Sequence, residues 1–304
     1  MHPAASVILF TVLSGMGFGL LACLGIGPWL GWPAPAPGLA AFLHWGLGYG
    51  LAVGGLLAST FHLGHPERAW RAFTQWRSSW LSREAWTSVA TLLVLAPVAL
   101  SDWLDLGWSR GWPGALGPIG AGLAGLTVFT TSMIYAQLKT VPRWHHASTP
   151  PLFLGFALAG GALLCGQTAL ALIALIGLGL LMAWVFTDGE HRFARAGQSL
   201  GTATGLNRIG KVTVFEAPHT SPNYLMTEMI HQVARSHVPK LKALALTLAT
   251  VIPAALMALS LAGAIPSLAA TALAATAHAA GAITQRWLFF AQAEHVVATF
   301  YGKH

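Results

Sequence analysis

A histidine pair at the end of the second apolar segment carries the clearest acid–base chemistry in the sequence. His62 and His65 flank Leu63-Gly64, and Glu67 follows two residues later. Imidazole exchanges a proton near neutral pH, so a histidine where an apolar segment ends can bind a polar group or accept its proton. Gly64 permits a close backbone turn between the histidines. The pattern predicts either a ligand-binding, proton-exchanging site or an ordinary helix end at a membrane surface.

The segment after the histidines is rich in tryptophan and arginine. It contains Trp70, Trp76, Trp80 and Trp86 beside Arg68, Arg71, Arg77 and Arg83. Tryptophan prefers the headgroup region of a bilayer, so the segment is predicted to lie along the membrane surface. Its arginines suit lipid headgroups and the surface carboxylates of a partner protein equally well, and the sequence leaves both interpretations open.

A second chemical pattern lies in the longest loop. Glu228, His231 and Arg235 fall at three- and four-residue spacing on one face of an amphipathic stretch. Glu228 and His231 form half of a di-iron motif, but no second copy exists, so a partner-docking helix is the preferred interpretation. Cys23 and Cys165 both lie in apolar segments and fit neither a disulfide framework nor a Cys-ligated metal site. No metal site is predicted.

Two further histidines, His44 and His278, fall inside apolar segments, where ionisable groups are costly and often functional. A b-type haem would need two facing histidines at similar depth. Counting about 1.5 Å per residue from the outer helix ends places His44 about 8 Å deep and His278 about 16 Å deep. The mismatch favours interhelical hydrogen bonds, or the lining of an outer cavity, over a shared haem.

Composition identifies the elements that must position these residues. Of 304 residues, 55% are hydrophobic and 8% charged, whereas ordinary soluble domains have about 25% charged residues. This excludes a soluble enzyme, a secreted disulfide scaffold and a disordered regulator, and predicts a polytopic helical membrane protein. The net charge of +7 then indicates basic cytoplasmic loops and not a nucleic-acid partner. The sequence has no Walker A loop and no iron–sulfur cysteine cluster, so the chain alone is not predicted to catalyse group transfer.

Eight apolar segments predict an all-α membrane bundle of eight transmembrane helices, forming a single domain over residues 1–304. The segments are Ala5–Ile26, Leu39–Phe61, Ala85–Leu104, Ala115–Leu138, Thr149–Cys165, Ala169–Phe186, Leu241–Ala264 and Ser267–Trp287. Glycines at four-residue spacing predict close helix contacts. These are Gly15 and Gly19 in the first segment and Gly46, Gly50 and Gly54 in the second.

The basic residues predict the orientation of this bundle. Of the 16 Lys and Arg residues, 15 follow helices two, four, six and eight, with Arg286 counted in the C-terminal tail, and Arg110 lies on the other side. Cytoplasmic loops carry the positive excess, so both termini and the loops 62–84 and 187–240 are predicted to be cytoplasmic, with both loops facing partners. The span centres lack charged residues, which disfavours a solute transporter.

Several motifs resemble one family, the membrane-anchor subunit of dimethyl sulfoxide reductase, which includes the anchors of related cytoplasmic sulfite-oxidising molybdoenzymes. The similarity covers the whole chain. Its motifs are His62–Pro66, Arg68–Phe73 and Ser79–Glu84, with Ala203–Leu206, Pro218–Thr220 and Arg286–Ala291 further along.

The resemblance implies a multi-pass anchor in the bacterial inner membrane. It implies two partner subunits, a four-cluster ferredoxin-like iron–sulfur subunit and a molybdopterin catalytic subunit, and a bound quinone, menaquinone or ubiquinone, with no metal in this chain. By motif position His62 contacts the quinone, with His65 and Gly64 beside it. Proton-relay candidates are Glu67, Glu84 and Glu228, and docking candidates are Arg68, Arg71, Arg83, His231 and Arg235.

The implied function is electron transfer between the quinone pool and the docked iron–sulfur subunit. The cytoplasmic docking face favours a sulfite dehydrogenase that reduces quinone. A dimethyl sulfoxide reductase anchor that oxidises quinol, a haem-bearing cytochrome-type anchor and a purely structural anchor are the alternatives.

Overall fold

Apolar helices make up most of the described chain. The computed structural model describes residues 3–107, 112–216 and 237–301, apart from the side chains of residues 62, 112, 113 and 301. The eight apolar helices are α1 (Ala5–Ile26), α2 (Leu39–Ala58), α3 (Trp80–Leu104), α4 (Leu116–Ala136), α5 (Thr149–Leu164), α6 (Thr168–Asp188), α7 (Val238–Leu261) and α8 (Ser267–Ala291). Within the described ranges no strand occurs, and seven helices are long and apolar enough to cross a bilayer. The all-α prediction is confirmed.

The outward faces of these helices are as apolar as their inward faces. Leu93 on α3 and Ile173 and Leu180 on α6 are 68%, 70% and 71% exposed, although these are among the most apolar residue types. Such a surface would aggregate in water, whereas hydrocarbon solvates it without cost. The fold therefore matches a bundle whose outer surface faces lipid.

Helix α1 lies at the centre of the bundle and packs against α2, α4, α5 and α8. The α1–α5 contact is a backbone contact, because a Cβ at Gly161 of α5 would lie only 2.7 Å from the Gly19 Cα of α1. In the α1–α2 contact, a Cβ at Gly17 would lie 2.8 Å from the Ala52 Cα. Small residues are required at these crossings because any side chain would push the helices apart.

The glycine spacing in the sequence predicted these contacts only in part. Gly19 is at a close contact, but Gly15 has open space around it. On α2, Gly46, Gly50 and Gly54 also have open space, and Gly48 and Gly55 make the contacts with α1 instead. The prediction for α2 was therefore wrong, because the glycines with regular spacing lie on a face that does not contact α1. Regular spacing shows that residues share a helix face but not whether another helix packs against that face.

Helix α3 begins at Trp80, five residues before the predicted start, because Ser79 is extended and the chain turns there. Arg83 and Glu84 are consequently helical and do not belong to the loop 62–84. The preceding loop is also folded, with 3₁₀ turns at Ser59–His62 and Pro66–Phe73. These turns pack against each other, and the second packs against α3.

Helix α7 contains one wide π-helical turn, Thr247–Val251. Pro253 follows it and has no N–H to donate to the Ala249 carbonyl four residues earlier, so the regular helical bond is lost there. The Nδ1 atom of His278, on α8, donates to that carbonyl at 2.7 Å. Gly281 leaves room for the contact, because a Cβ there would lie 2.5 Å from the Ala249 Cα.

Candidate functional site

The histidine pair lies where α2 passes into the folded loop. His62 ends the 3₁₀ turn Ser59–His62, and its side chain lies outside the described part of the structure. Nδ1 of His65 contacts Oε1 of Glu67 at 3.0 Å, and Nε of Arg68 lies 3.8 Å from the same oxygen. All three side chains are more than half exposed. Gly64 has no neighbour within 4 Å of a Cβ position, so the chain's own packing does not demand glycine there.

Glu84 is separated from that exposed cluster and is buried inside the bundle. It is 3% exposed, and the Thr131 hydroxyl of α4 donates to its Oε1 at 2.5 Å. The same faces of α3 and α4 bring the hydroxyls of Thr91 and Thr127 within 3.2 Å of each other. The structure thus makes Glu84 an interior carboxyl that is held by a hydroxyl, and not a loop residue in solvent.

A groove lies on the outer side of the same helical turn. It has a volume of about 370 Å³ and is lined by Trp76, Arg83, Trp86 and Thr87, whose wall atoms are apolar. Its walls are fixed by hydrogen bonds, because Trp86 Nε1 donates to the Phe73 carbonyl at 3.0 Å and Arg83 Nε donates to the Trp76 carbonyl at 3.0 Å. Thr87, which lines the groove, follows the buried Glu84 by three positions, about one turn of α3.

The loop arginines stack on neighbouring indole rings. The guanidinium carbon lies 5.7 Å from the ring centroid for Arg71 on Trp70, 5.4 Å for Arg77 on Trp76 and 4.2 Å for Arg83 on Trp80. Stacking leaves the charged edges of Arg71 and Arg77 free to bind carboxylate or phosphate. Arg83 donates from Nε and Nη2 to the carbonyls of Trp76 and Arg77 and has Nη1 left over. The loop thus presents a basic, aromatic surface beside the groove.

The predicted position of Arg286 in the cytoplasmic tail was wrong. Arg286 lies within α8 and is 2% exposed, because its apolar neighbours Trp287–Ala291 continue the helix and bury it. Its guanidinium carbon is 3.8 Å from the Phe153 ring centroid and 4.9 Å from that of Phe156. Among the described residues no carboxylate lies within 4 Å of it, and Nη1 donates to Gln285 Oε1 at 2.8 Å. One charge inside an apolar run is the signal that could have identified it.

Arg286 lines a small interior cavity together with His278 and Thr131. The cavity has a volume of about 10 Å³, close to the smallest space that holds one water molecule. The Nδ1 atom of His278 donates to a carbonyl, so Nε2 of the neutral ring is an acceptor. That Nε2 is the one buried side-chain polar atom without a hydrogen-bond partner among the described residues.

A polar network joins the ends of α5, α6 and α8 on the side of the histidine pair. Arg192 donates to Asp188 at 2.6 Å and to Ser148 at 2.9 Å. Arg143 donates to the Gly189 carbonyl at 3.2 Å and to Gln292 at 3.1 Å. Burial, together with the neighbouring charge of Arg192, lowers the pKa of Arg143 to about 10. The network fixes the helix ends around two cavities.

The outer of these cavities measures about 280 Å³ and is lined by Arg143, Gly189, Glu190, Phe193, Gln292 and Glu294. The inner one measures about 20 Å³ and shares Arg143 and Gln292 with the outer, reaching inward to Gln285. Lys242 hydrogen-bonds Glu190 and thereby lowers the pKa of that carboxyl.

The remaining sequence candidates are three loop residues and the two histidines of the apolar segments. Glu228, His231 and Arg235 lie outside the described residues. Nδ1 of His44 bonds the Ala40 carbonyl of its own helix at 2.8 Å, whereas Nδ1 of His278 bonds the Ala249 carbonyl of α7. Over the ranges that are described, no group of three or more His, Cys, Asp or Glu residues is arranged to hold a metal ion.

Known proteins provide two comparisons over nearly the full length. The family described as DMSO reductase anchor subunit (DmsC) matches residues 1–292. A protein of Allochromatium vinosum, named as a subunit of sulfite dehydrogenase, is 30% identical over 340 aligned residues, covering 99% of each chain. No solved structure matches the chain significantly.

Proposed function

Because the chain belongs to the DMSO reductase anchor subunit family and is a multi-pass membrane protein, we propose that it anchors a molybdopterin and iron–sulfur oxidoreductase to the bacterial inner membrane and binds its quinone. All eight apolar helices span the bilayer in this proposal. Helix α5 has 16 residues and covers about 24 Å, which suffices because it packs among other helices. Both termini are cytoplasmic, as the basic residues indicate.

The groove at the start of α3 suits a quinone ring. Its volume of about 370 Å³ is within the usual range of ligand sites, roughly 300–1,000 Å³. Indole walls suit a flat aromatic ring and its apolar tail. Hydrogen bonds to the ring oxygens would come from free N–H groups of Arg83 and from His62, which follows α2 on the same side. A bound quinone supplies two-electron, two-proton redox chemistry.

The observation that carries the proposal is the buried carboxyl of Glu84 one turn of helix away from the groove. Burying a carboxyl in a membrane protein is costly and is retained where protons are exchanged. Thr131 holds this carboxyl in one orientation at 2.5 Å. Glu67 is the second proton-exchanging candidate, but it is exposed and paired with His65.

The stacked arginine surface supports docking of a partner. Arg68, Arg71 and Arg83 present positive charge beside the groove, where a four-cluster ferredoxin-like subunit would bring a cluster within reach of the quinone. A molybdopterin subunit then binds the iron–sulfur subunit and not this chain. Acidic surface residues on the partner would pair with the arginines.

Sulfite is the proposed substrate of the complex, with electrons passed to quinone. The support is the full-length similarity to a chain named as a sulfite dehydrogenase subunit and the cytoplasmic side inferred for the docking face. The family description favours a second candidate, a DMSO reductase anchor that oxidises quinol. Purified complex should reduce quinone with sulfite, and quinol-dependent reduction of DMSO without sulfite oxidation would support the second candidate instead.

The quinone site is tested with His62→Ala and Glu84→Gln in the purified complex. Removing a hydrogen-bonding group from a partly buried polar ligand costs about 1–3 kcal/mol, so quinone-linked turnover should fall about tenfold or more. Activity with an artificial dye should persist because the dye bypasses the membrane subunit. The control is His191→Ala, an exposed histidine in the α6–α7 loop, which should keep both activities.

Normal quinone-linked turnover in both variants would overturn the site. Loss of dye activity as well as quinone activity would assign the residues to assembly of the complex.

A further inference from the structure

Glu84 is connected to the cytoplasmic side by a line of polar groups along α8, and we propose that this line conducts protons between the cytoplasm and Glu84. The proposal rests on the proposed quinone function, since quinone reduction consumes one proton for each electron and reoxidation releases it. The route is separate from the exposed loop that carries His65 and Glu67.

The route begins at the cytoplasmic ends of α6 and α8. The cavity there, about 280 Å³, is large enough for several water molecules and is lined by the carboxylates Glu190 and Glu294. Carboxylates at a cavity mouth collect protons from solvent and pass them to internal water. Arg143 and Gln292, hydrogen-bonded to each other at 3.1 Å, form the wall shared with the next cavity.

The second step is the cavity of about 20 Å³ that extends to Gln285. Its polar lining also includes Ser148 and Arg192, which offer partners for a water molecule. Gln285 is 2% exposed and accepts a hydrogen bond from Arg286 at 2.8 Å. Gln285 lines the second cavity and Arg286 lines the innermost one, so this pair forms the boundary between them, and a proton crosses along water that enters when the pair separates.

The third step is the innermost cavity, where the remaining hydrogen-bonding groups suit one water molecule. Arg286 has N–H groups left over after its bond to Gln285, whereas His278 Nε2 is a buried acceptor without a donor. A single water accepts from the first and donates to the second, and the cavity of about 10 Å³ accommodates one. The water explains both a buried arginine without a carboxylate and the unpartnered histidine nitrogen.

The last step is Thr131, which lines this cavity and donates to Glu84 at 2.5 Å. A hydroxyl both donates and accepts, so it passes a proton on by accepting one from the water side as it releases its own. The positive charge of Arg286 orients the water, and the guanidinium group keeps all its protons throughout.

The test measures proton exchange at Glu84 directly by infrared spectroscopy. The carboxyl band of Glu84, identified by its loss in Glu84→Gln, shifts when the purified complex is moved into D₂O at a pH where the band is present. Two variants interrupt the route: Gln285→Leu removes the amide between cavities, and Thr131→Val removes the hydroxyl while keeping its shape. Each should slow the exchange about tenfold or more, the scale of a lost proton-transfer group.

The matched control is Thr127→Val, one helical turn away on α4. Thr127 is also fully buried and hydrogen-bonded to a threonine, but it lines none of the three cavities. Its exchange rate should equal that of the unmodified complex. If Gln285→Leu fails to assemble, His278→Asn replaces it, since Asn keeps a donor for the Ala249 carbonyl and removes the Nε2 acceptor.

Exchange at the unmodified rate in the route variants would overturn the proposal, as would equal slowing in Thr127→Val. Equilibrium binding of decylubiquinone is measured on the same samples to separate this result from the quinone proposal. Slowed exchange with no quinone binding would retain the proton route and refute the quinone site. Normal quinone binding with unaltered proton exchange in the route variants would retain the quinone site and refute the proton route.

Discussion

The α1–α5 crossing provides a stability prediction whose magnitude follows from the structure. In Gly161→Ala the new Cβ would lie 2.7 Å from the Gly19 Cα and would overlap the Gly19 carbonyl group. Real contacts of a Cβ are essentially never below 3.0 Å, so the helices must part by several tenths of an ångström, or rotate, along the whole crossing.

The expected cost is that of overpacking, about 1–3 kcal/mol, because the obstacle is backbone and not a side chain that can turn away. Separating α1 from α5 also widens the innermost cavity, because Met16 of α1 and Phe156 of α5 both line it. We therefore expect Gly161→Ala to lower the unfolding midpoint in detergent. Gly161→Leu, which adds a larger side chain, should lower it further.

The assay compares Gly161→Ala with Gly122→Ala, a glycine in α4 with open space around its Cβ position. The latter should be neutral or more stable by up to about 1 kcal/mol, because alanine has less backbone entropy to lose in a helix. Equal unfolding midpoints for the two variants would refute the close crossing of α1 and α5.

Three further outcomes are expected. Phe153→Leu should lower stability by about 2 kcal/mol, because the Arg286 guanidinium loses a desolvated cation–π contact that is 3.8 Å from the ring centroid; an unchanged melting temperature would contradict it. Lys242 lowers the pKa of Glu190, so the pair stabilises the folded protein at any pH above the ordinary glutamate pKa. This stabilisation is lost as pH falls through the lowered pKa, and Lys242→Met should flatten that part of a plot of stability against pH. A reporter enzyme that is active only in the cytoplasm should be active when it is fused after His304. Activity of a reporter that works only outside the cytoplasm would reverse the proposed orientation.

Much of the fold could be predicted from composition because the membrane imposes a length on each helix. The bounds of α1 agree with the apolar run Ala5–Ile26, since Pro3 comes shortly before that run and Gly27-Pro28 follow it. The start of α3 was missed because Trp80–Glu84 is polar enough to read as a loop. Tertiary packing buries its inner face, and hydropathy averaged along the chain cannot detect one buried face.

The candidate site was predictable in kind but not in arrangement. The sequence identified Glu84 as a proton-exchanging candidate, yet it could not separate that buried carboxyl from the exposed Glu67, because both follow the same basic loop. The importance of Arg286 was hidden by its place near the chain end. Its role depends on Thr131 and Gln285, and nothing in linear spacing shows that α4 and α8 share a cavity.

The wide turn in α7 fixes the rotational phase of the first half of that helix, which begins at Val238. A π turn contains one residue more than an α turn, so deleting a residue within Thr247–Val251 would restore a regular helix. Every residue of α7 before the turn would then rotate by about 100° about the helix axis relative to the residues after it. Lys242 would leave Glu190, although the deletion lies well away from both. The length of this one turn therefore sets the angle at which Lys242 projects from α7, and so places Lys242 against Glu190 at the outer cavity.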